Sequence, residues 1–150
     1  MNPRILNVVK IAAAWMIASL VLAGIIFYAY YGIRSRMPGR VANVQIEIEA
    51  SVIFSKEVIE SAIDVAIKEF ANSRDGWHEL LEIRYCEGYS NAVVRNRNWD
   101  AGNSIVIIAS YQRNSAPGSN RPSTTRRWEW VLFRDGSDYP WKVVAGGKTL

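Results

Sequence analysis

The chain has 150 residues, 49% of them apolar, 11% aromatic and 21% charged, with one cysteine and one histidine. One ordinary domain fits that length, and the composition excludes a disulfide scaffold, a collagen-like repeat and a wholly disordered tail. The formal charge of +4 is unevenly placed: residues 1–40 carry five basic and no acidic side chains, residues 41–150 thirteen basic and fourteen acidic ones, so the high isoelectric point belongs to the N-terminal segment.

Ile11 to Tyr31 is a run of 21 residues without a charge, about 31 Å long as a helix, which matches the hydrocarbon core of a bilayer. Trp15 near one end and Phe27, Tyr28, Tyr30 and Tyr31 at the other stand where interfacial rings are expected. A removable signal peptide needs a shorter apolar region and small residues at its end, where this chain has bulky rings. No cysteine follows Leu22-Ala23-Gly24 to accept a lipid. The expectation is a short tail over 1–10, a transmembrane signal-anchor helix over 11–33 that meets the membrane through 11–31, and a linker over 34–40. Arg4 and Lys10 precede the span while Arg34, Arg36 and Arg40 follow it, a near balance that leans slightly against export. A ten-residue tail is easily kept inside, which favours a single-pass protein with its domain outside the membrane. The lone Cys86 is compatible with either side.

Met37-Pro38-Gly39-Arg40 stops the helix. Val41 to Ala50 then alternates Val44, Ile46, Ile48 and Ala50 with Asn43, Gln45, Glu47 and Glu49, the pattern of a strand with one wet face, which either joins a sheet edge or packs separately. Ser55 is placed to cap a following helix with Glu57 in its first turn, and Ile59, Ile63, Ala66, Ile67 and Phe70 recur at helical spacing until Asn72-Ser73 and Asp75-Gly76. Glu60, Asp64, Lys68 and Glu69 make its solvated side.

Beyond Gly76 the period returns to two. Leu81, Ile83 and Tyr85 alternate with Glu82, Arg84 and Cys86, then come Ile105 to Tyr111, Arg126 to Arg134 and, after the Asp135-Gly136-Ser137-Asp138 turn, Trp141 to Val144. Pro140 is tolerable at the first position of that last strand. No βαβ repetition is visible, so residues 41–150 predict an α+β domain, one amphipathic helix on a curved four-stranded antiparallel sheet. Glu87 to Asn103 and Gln112 to Thr125 are long connections, of a length that is usually functional or mobile.

Phe54-Ser55-Lys56-Glu57-Val58-Ile59 leading into Ala62-Ile63, Leu81 to Tyr85, the apolar run Ile105 to Ala109, Trp128 to Leu132 and the terminal Trp141-Lys142-Val143-Val144 together resemble a family of uncharacterised Gram-positive envelope domains. The resemblance covers roughly residues 44 to 147 and rests on scattered apolar landmarks. It implies a cone of the nuclear transport factor 2-like or cystatin-like kind, a helix cradled by a bent sheet, hung outside the membrane from an N-terminal anchor. It also implies a pocket but no particular reaction, since that superfamily holds isomerases, dehydratases and assembly modules. Ala145 departs from the aromatic or acidic step expected before the final glycine.

The candidate chemistry is thin. Enzymes of the cone fold set an acid and base inside the pocket, and the only histidine, His78, sits next to Trp77 and beside Glu79 at a strand entrance, where an exposed or loop-tethered role is favoured over a catalytic one. Cys86 lacks a base to hold its thiolate, and one Cys with one His cannot fill a zinc shell. No glycine-rich phosphate loop follows a strand, so no cofactor and no metal are expected. Tyr85, Trp128, Trp130 and Trp141 form an aromatic stripe on strands, a candidate ligand-binding face whose bland alternative is core packing. Residues 88–127 carry a surplus of five positive charges, with Arg95, Arg97, Arg113, Arg121, Arg126 and Arg127 interleaved with Trp99 and Tyr111, while residues 41–87 are six net negative. That polarity suits an acidic protein partner, an anionic lipid surface or a wall polymer.

The sequence therefore predicts a non-enzymatic binding or assembly module of the cell envelope, contacting a protein partner through the arginine-rich connections or a second copy through the sheet face. The alternatives are a pocket enzyme acting on a small carbonyl or lipid-like molecule and, only for a cytosolic domain, nucleic-acid binding.

Overall fold

The computed structural model describes residues 3–115 and 123–147, and side chains from residue 10 onward. It divides into two compact units, Met1–Arg36 and Met37–Leu150. The first is helix α1 (Pro3–Arg36). Its stretch from Lys10 to Arg36, 27 residues with a mean hydropathy of 2.2, is long and apolar enough to cross a membrane. No side of it is set apart for a core: Tyr28 is 79% exposed, Trp15 72% and Leu20 69%. A helix apolar all round finds its matching solvent in hydrocarbon rather than in water.

The second unit runs β1 (Gln45–Ile48), α2 (Lys56–Ser73), β2 (His78–Tyr85), α3 (Glu87–Asn96), β3 (Ser104–Arg113), β4 (Thr124–Phe133) and β5 (Lys142–Gly147). It is an α+β fold whose five strands make one open sheet in the order β1-β2-β3-β4-β5. β2 to β5 form the antiparallel meander that the alternation predicts. The sheet as a whole is mixed, because β1 joins its edge parallel to β2, with Gln45 opposite Glu82 and Ile48 opposite Tyr85. A parallel pair needs a crossover, and α2 supplies it.

Four local differences from the sequence reading have physical reasons. β1 is shorter than Val41 to Ala50, and while Val44 and Ile48 pack against the core, Ile46 is 51% exposed. In β2 the register shifts between Leu80 and Glu82, a bulge that turns Leu80 inward (1% exposed) and leaves Leu81 half-buried. Ser55 does hold the N-cap of α2 with an extended backbone, yet its side chain makes no capping bond. The connection from Glu87 to Asn103 contains α3, whose Glu87 and Arg95 sit at the ends that suit the helix dipole.

The main core lies between α2 and one face of the sheet. Ile59, Ile63, Ala66 and Phe70 of α2 meet Ile83, Tyr85, Ile105, Ile107, Trp130 and Leu132 of the strands. The other face carries a smaller cluster, Val94 of α3 against Val106 and Val131, with Trp99 and Ala145 at its margin. Residues 38–40 belong to the fold as well. Pro38 bridges Asp75, the Gly39 N–H donates to the Ala71 carbonyl (3.0 Å) and the Arg40 N–H to the His78 carbonyl (2.9 Å). A Cβ on Gly39 would stand 3.0 Å from both the Phe70 ring and its carbonyl, so a side chain here would have to push α2 back by a few tenths of an ångström.

Candidate functional site

The four aromatic residues of the predicted ligand face lie in or against the main core. Tyr85, Trp130 and Trp141 are 0%, 3% and 6% exposed and belong to the main core. Trp130 meets Phe70 edge-on at 6.4 Å, and Trp141 meets Phe54 at 5.8 Å beneath the Arg134 guanidinium, 4.7 Å from its ring. Trp128 is half-buried in the middle of β4, two residues before Trp130. There the Arg74 guanidinium lies 4.6 Å from its ring and 5.3 Å from that of Tyr111, the cation–π distance range.

His78 and Tyr85 occupy opposite ends of β2, about 23 Å apart at the rise of an extended strand. His78 Nδ1 lies 2.7 Å from Asp75 Oδ1, with its ring against Tyr111. The Tyr85 hydroxyl reaches Ser51 Oγ at 3.3 Å, and that serine donates to Glu87 Oε1 at 2.7 Å. Glu87 also accepts the Val52 and Ile53 N–H groups at 3.0 and 3.3 Å, while Ser51 Oγ accepts those of Ile53 and Phe54. These bonds tie the β1–α2 turn to the start of α3. The Ser51 hydroxyl, with help from the two backbone donors, holds the Glu87 carboxyl below its ordinary range, and burial pushes the Tyr85 phenol up. Glu87 is thereby an acceptor at neutral pH and Tyr85 a neutral phenol, roles that fix a turn. A cavity of about 500 Å³ opens beside it, lined by Ile48, Glu49, Ser51, Phe54 and Lys56 among others. Among the described residues no group of three or more His, Cys, Asp or Glu side chains is arranged to hold a metal ion.

The predicted arginine set divides between two places. Arg97, the C-cap of α3, lies 5.2 Å from the Trp99 ring and 3.7 Å from Glu129 Oε1, and Arg95 is exposed two residues earlier. Trp99 there borders a cavity of about 340 Å³ with Asn98, Asp100, Phe133 and Val144. Val144 is 51% exposed and falls where the register between β4 and β5 slips. Among the described residues no strand pairs with the outer edge of β5. Arg113 is at the far end of β3, and Arg121 lies outside the described residues. Three contributors escaped the sequence reading. Tyr89 donates to Glu129 Oε2 at 2.7 Å, and Phe133 and Val144 border the Trp99 cavity; finding them requires α3 and the β4–β5 register.

Comparison with family models, with curated proteins and with solved structures finds no match for the chain.

Proposed function

We propose that the protein is a single-pass, membrane-anchored module of the cell envelope whose α+β domain lies outside the membrane and captures a protein partner without chemistry. The partner is an extended segment that carries an acidic residue beside an apolar one. The observation that carries this reading is the surface at the end of α3, where Trp99, with the Arg97 guanidinium 5.2 Å from its ring, borders a cavity of about 340 Å³ lined also by Asn98, Asp100, Phe133 and Val144, next to the edge of β5 that is unpaired among the described residues. A strand edge offers main-chain hydrogen bonds, and the cavity with its flanking guanidinium groups offers side-chain selectivity. The interior between α2 and the sheet, where a cone-fold enzyme would hold its substrate, is occupied by Phe70, Tyr85, Trp130 and Trp141. We keep the nuclear transport factor 2-like relationship as part of this proposal, on the strength of α2 lying across a β2–β5 meander.

Two measurements test the reading. A reporter joined after Leu150 that works on only one side of the membrane is expected to be active outside; activity inside overturns the envelope assignment. Arg95→Glu combined with Val144→Glu is expected to abolish partner co-purification at an unchanged melting temperature. Arg95 forms no ion pair among the described residues, whereas Arg97 is held by Glu129 and would confound a charge reversal. Undiminished capture by this variant removes the α3–β5 surface from consideration.

A further inference from the structure

The charged residues of the domain sort by the two ends of the sheet. Tyr111 pairs with Arg126 and Arg113 with Thr124, so Arg113 and Arg126 lie on the α2 face of the sheet at its 113/124 end. Arg74, the residue that closes α2, reaches the same place, its guanidinium resting against the rings of Tyr111 and Trp128. Arg113 and Arg126 are exposed, and none of the three forms an ion pair with a carboxylate among the described residues. The acids at this end are engaged: Asp75 with His78 at 2.7 Å, Glu79 with Arg40 at 3.0 Å and with Asn114 at 3.2 Å. The opposite end carries Glu57, Glu87, Asp100, Asp135 and Asp138, with Lys142 bound to Asp135.

Chain connectivity decides which end is tethered. Pro38, Gly39 and Arg40 are bonded to the basic end, through Asp75, Ala71 and His78. Only Met37 separates them from Arg36, the last residue of α1, and one residue spans at most about 3.6 Å. If α1 spans a bilayer through residues 11–31, this short connection tethers the basic end within reach of the lipid surface. Three guanidinium groups on an open face, with half-buried Trp128 among them, match a plane of phosphates better than a single enclosed anion.

We propose that the Arg74–Arg113–Arg126 face docks on anionic phospholipid headgroups of the membrane that holds α1. The proposal rests on α1 spanning the membrane and holds for either side of it. Each basic residue near an anionic surface contributes about fivefold to the docking equilibrium, and the contribution is lost at high salt.

The test is arginine footprinting with phenylglyoxal on the full-length protein in nanodiscs, read residue by residue by mass spectrometry. With phosphatidylglycerol in the disc, Arg113 and Arg126 are expected to react several-fold more slowly than in discs of phosphatidylcholine alone. Arg95 should react equally in both, and high salt should remove the difference. In an Arg113→Glu, Arg126→Glu variant, whose two sites are exposed, Arg74 should lose its own protection in anionic discs. Equal rates in the two discs, or slowing of Arg95 to the same extent, overturns the docking face. Slowing by inorganic phosphate in phosphatidylcholine discs overturns it in favour of a soluble anion. Protein that does not co-elute with discs overturns the membrane reading of α1 and the docking with it, whereas inserted protein with unprotected arginines overturns the docking alone.

Discussion

Across the sheet from α2, Ile59, Ile63 and Phe70 meet Ile107, Tyr111, Trp130 and Leu132 in a cluster of large side chains. Across from α3, Val94 meets Val106 and Val131, and polar bonds complete the contact: the buried Val106 N–H donates to Ser90 Oγ at 3.0 Å and the Tyr89 hydroxyl donates to Glu129. The first face buries area, which is non-directional and tolerant of small shifts. The second buries little and specifies where each atom goes, because a hydrogen bond fails outside a narrow range of distance and angle. The two faces therefore divide the work, α2 holding the domain together and α3 positioning Arg97 and Trp99.

The largest expected effect tests the α2 face. Trp130→Ala removes a ring that is 3% exposed and packed edge-on to Phe70, and should cost about 3–5 kcal/mol in denaturant unfolding of the detergent-solubilised chain. A loss below about 1 kcal/mol would mean that this face is loosely packed and the contrast drawn here is wrong. On the α3 face, Ser90→Ala leaves the Val106 N–H without its acceptor at a place where β2 has already ended at Tyr85. Its expected cost is about 1–3 kcal/mol, with faster amide exchange at Val106 as the signature of a lost hydrogen bond rather than of lost packing. Val94→Ala deletes two buried methyl groups and should cost about 1.6 kcal/mol from transfer alone. Its sharper readout is Trp99 fluorescence, which should shift while the main core stays intact.

The contrast also explains what could be read from the chain. Large apolar residues on one side of α2 and on alternate positions of β3 and β4 announce themselves by period, so the helix, the meander and most of the main core were legible. α3 was not, because only Ser90 and Val94 are buried on it and a ten-residue helix with one serine and one valine inward has no apolar stripe. Nor was the parallel pairing of β1, since four residues alternate in the same way whichever neighbour they have. Leu80 and Leu81 are indistinguishable by composition; only the bulge decides that Leu80 turns inward. Of the surface sites, Arg97 beside Trp99 is visible as near neighbours in sequence. The meeting of Arg74 with Arg113 and Arg126 depends on where α2 stops and on the pairing of Tyr111 with Arg126, and a sequence does not print a register.

The smallest expected effect is the most selective for α3. The Tyr89 phenol is pushed up to about 12, first by its hydrogen bond to Glu129, then by burial and by the Glu129 charge, with Arg97 acting against them. In the unfolded chain the phenol titrates near its ordinary value of 10.0. Between those values the unfolded state has given up the proton that the folded state keeps. The stabilisation is therefore complete below pH 10 and is lost as pH rises through about 12. Tyr89 is 38% exposed, so solvent screens the interaction and the change in stability should be small. Tyr89→Phe should remove this part of the alkaline slope while leaving the slope below pH 10 as it was, and the phenolate absorbance difference between the two proteins should rise near pH 12. A difference rising near pH 10 instead would show that the hydroxyl is free of Glu129 in solution. α3 would then lose one of the bonds that fix its distance from β4, leaving Val94, Ser90 and the Arg97–Glu129 pair to place Arg97 and Trp99.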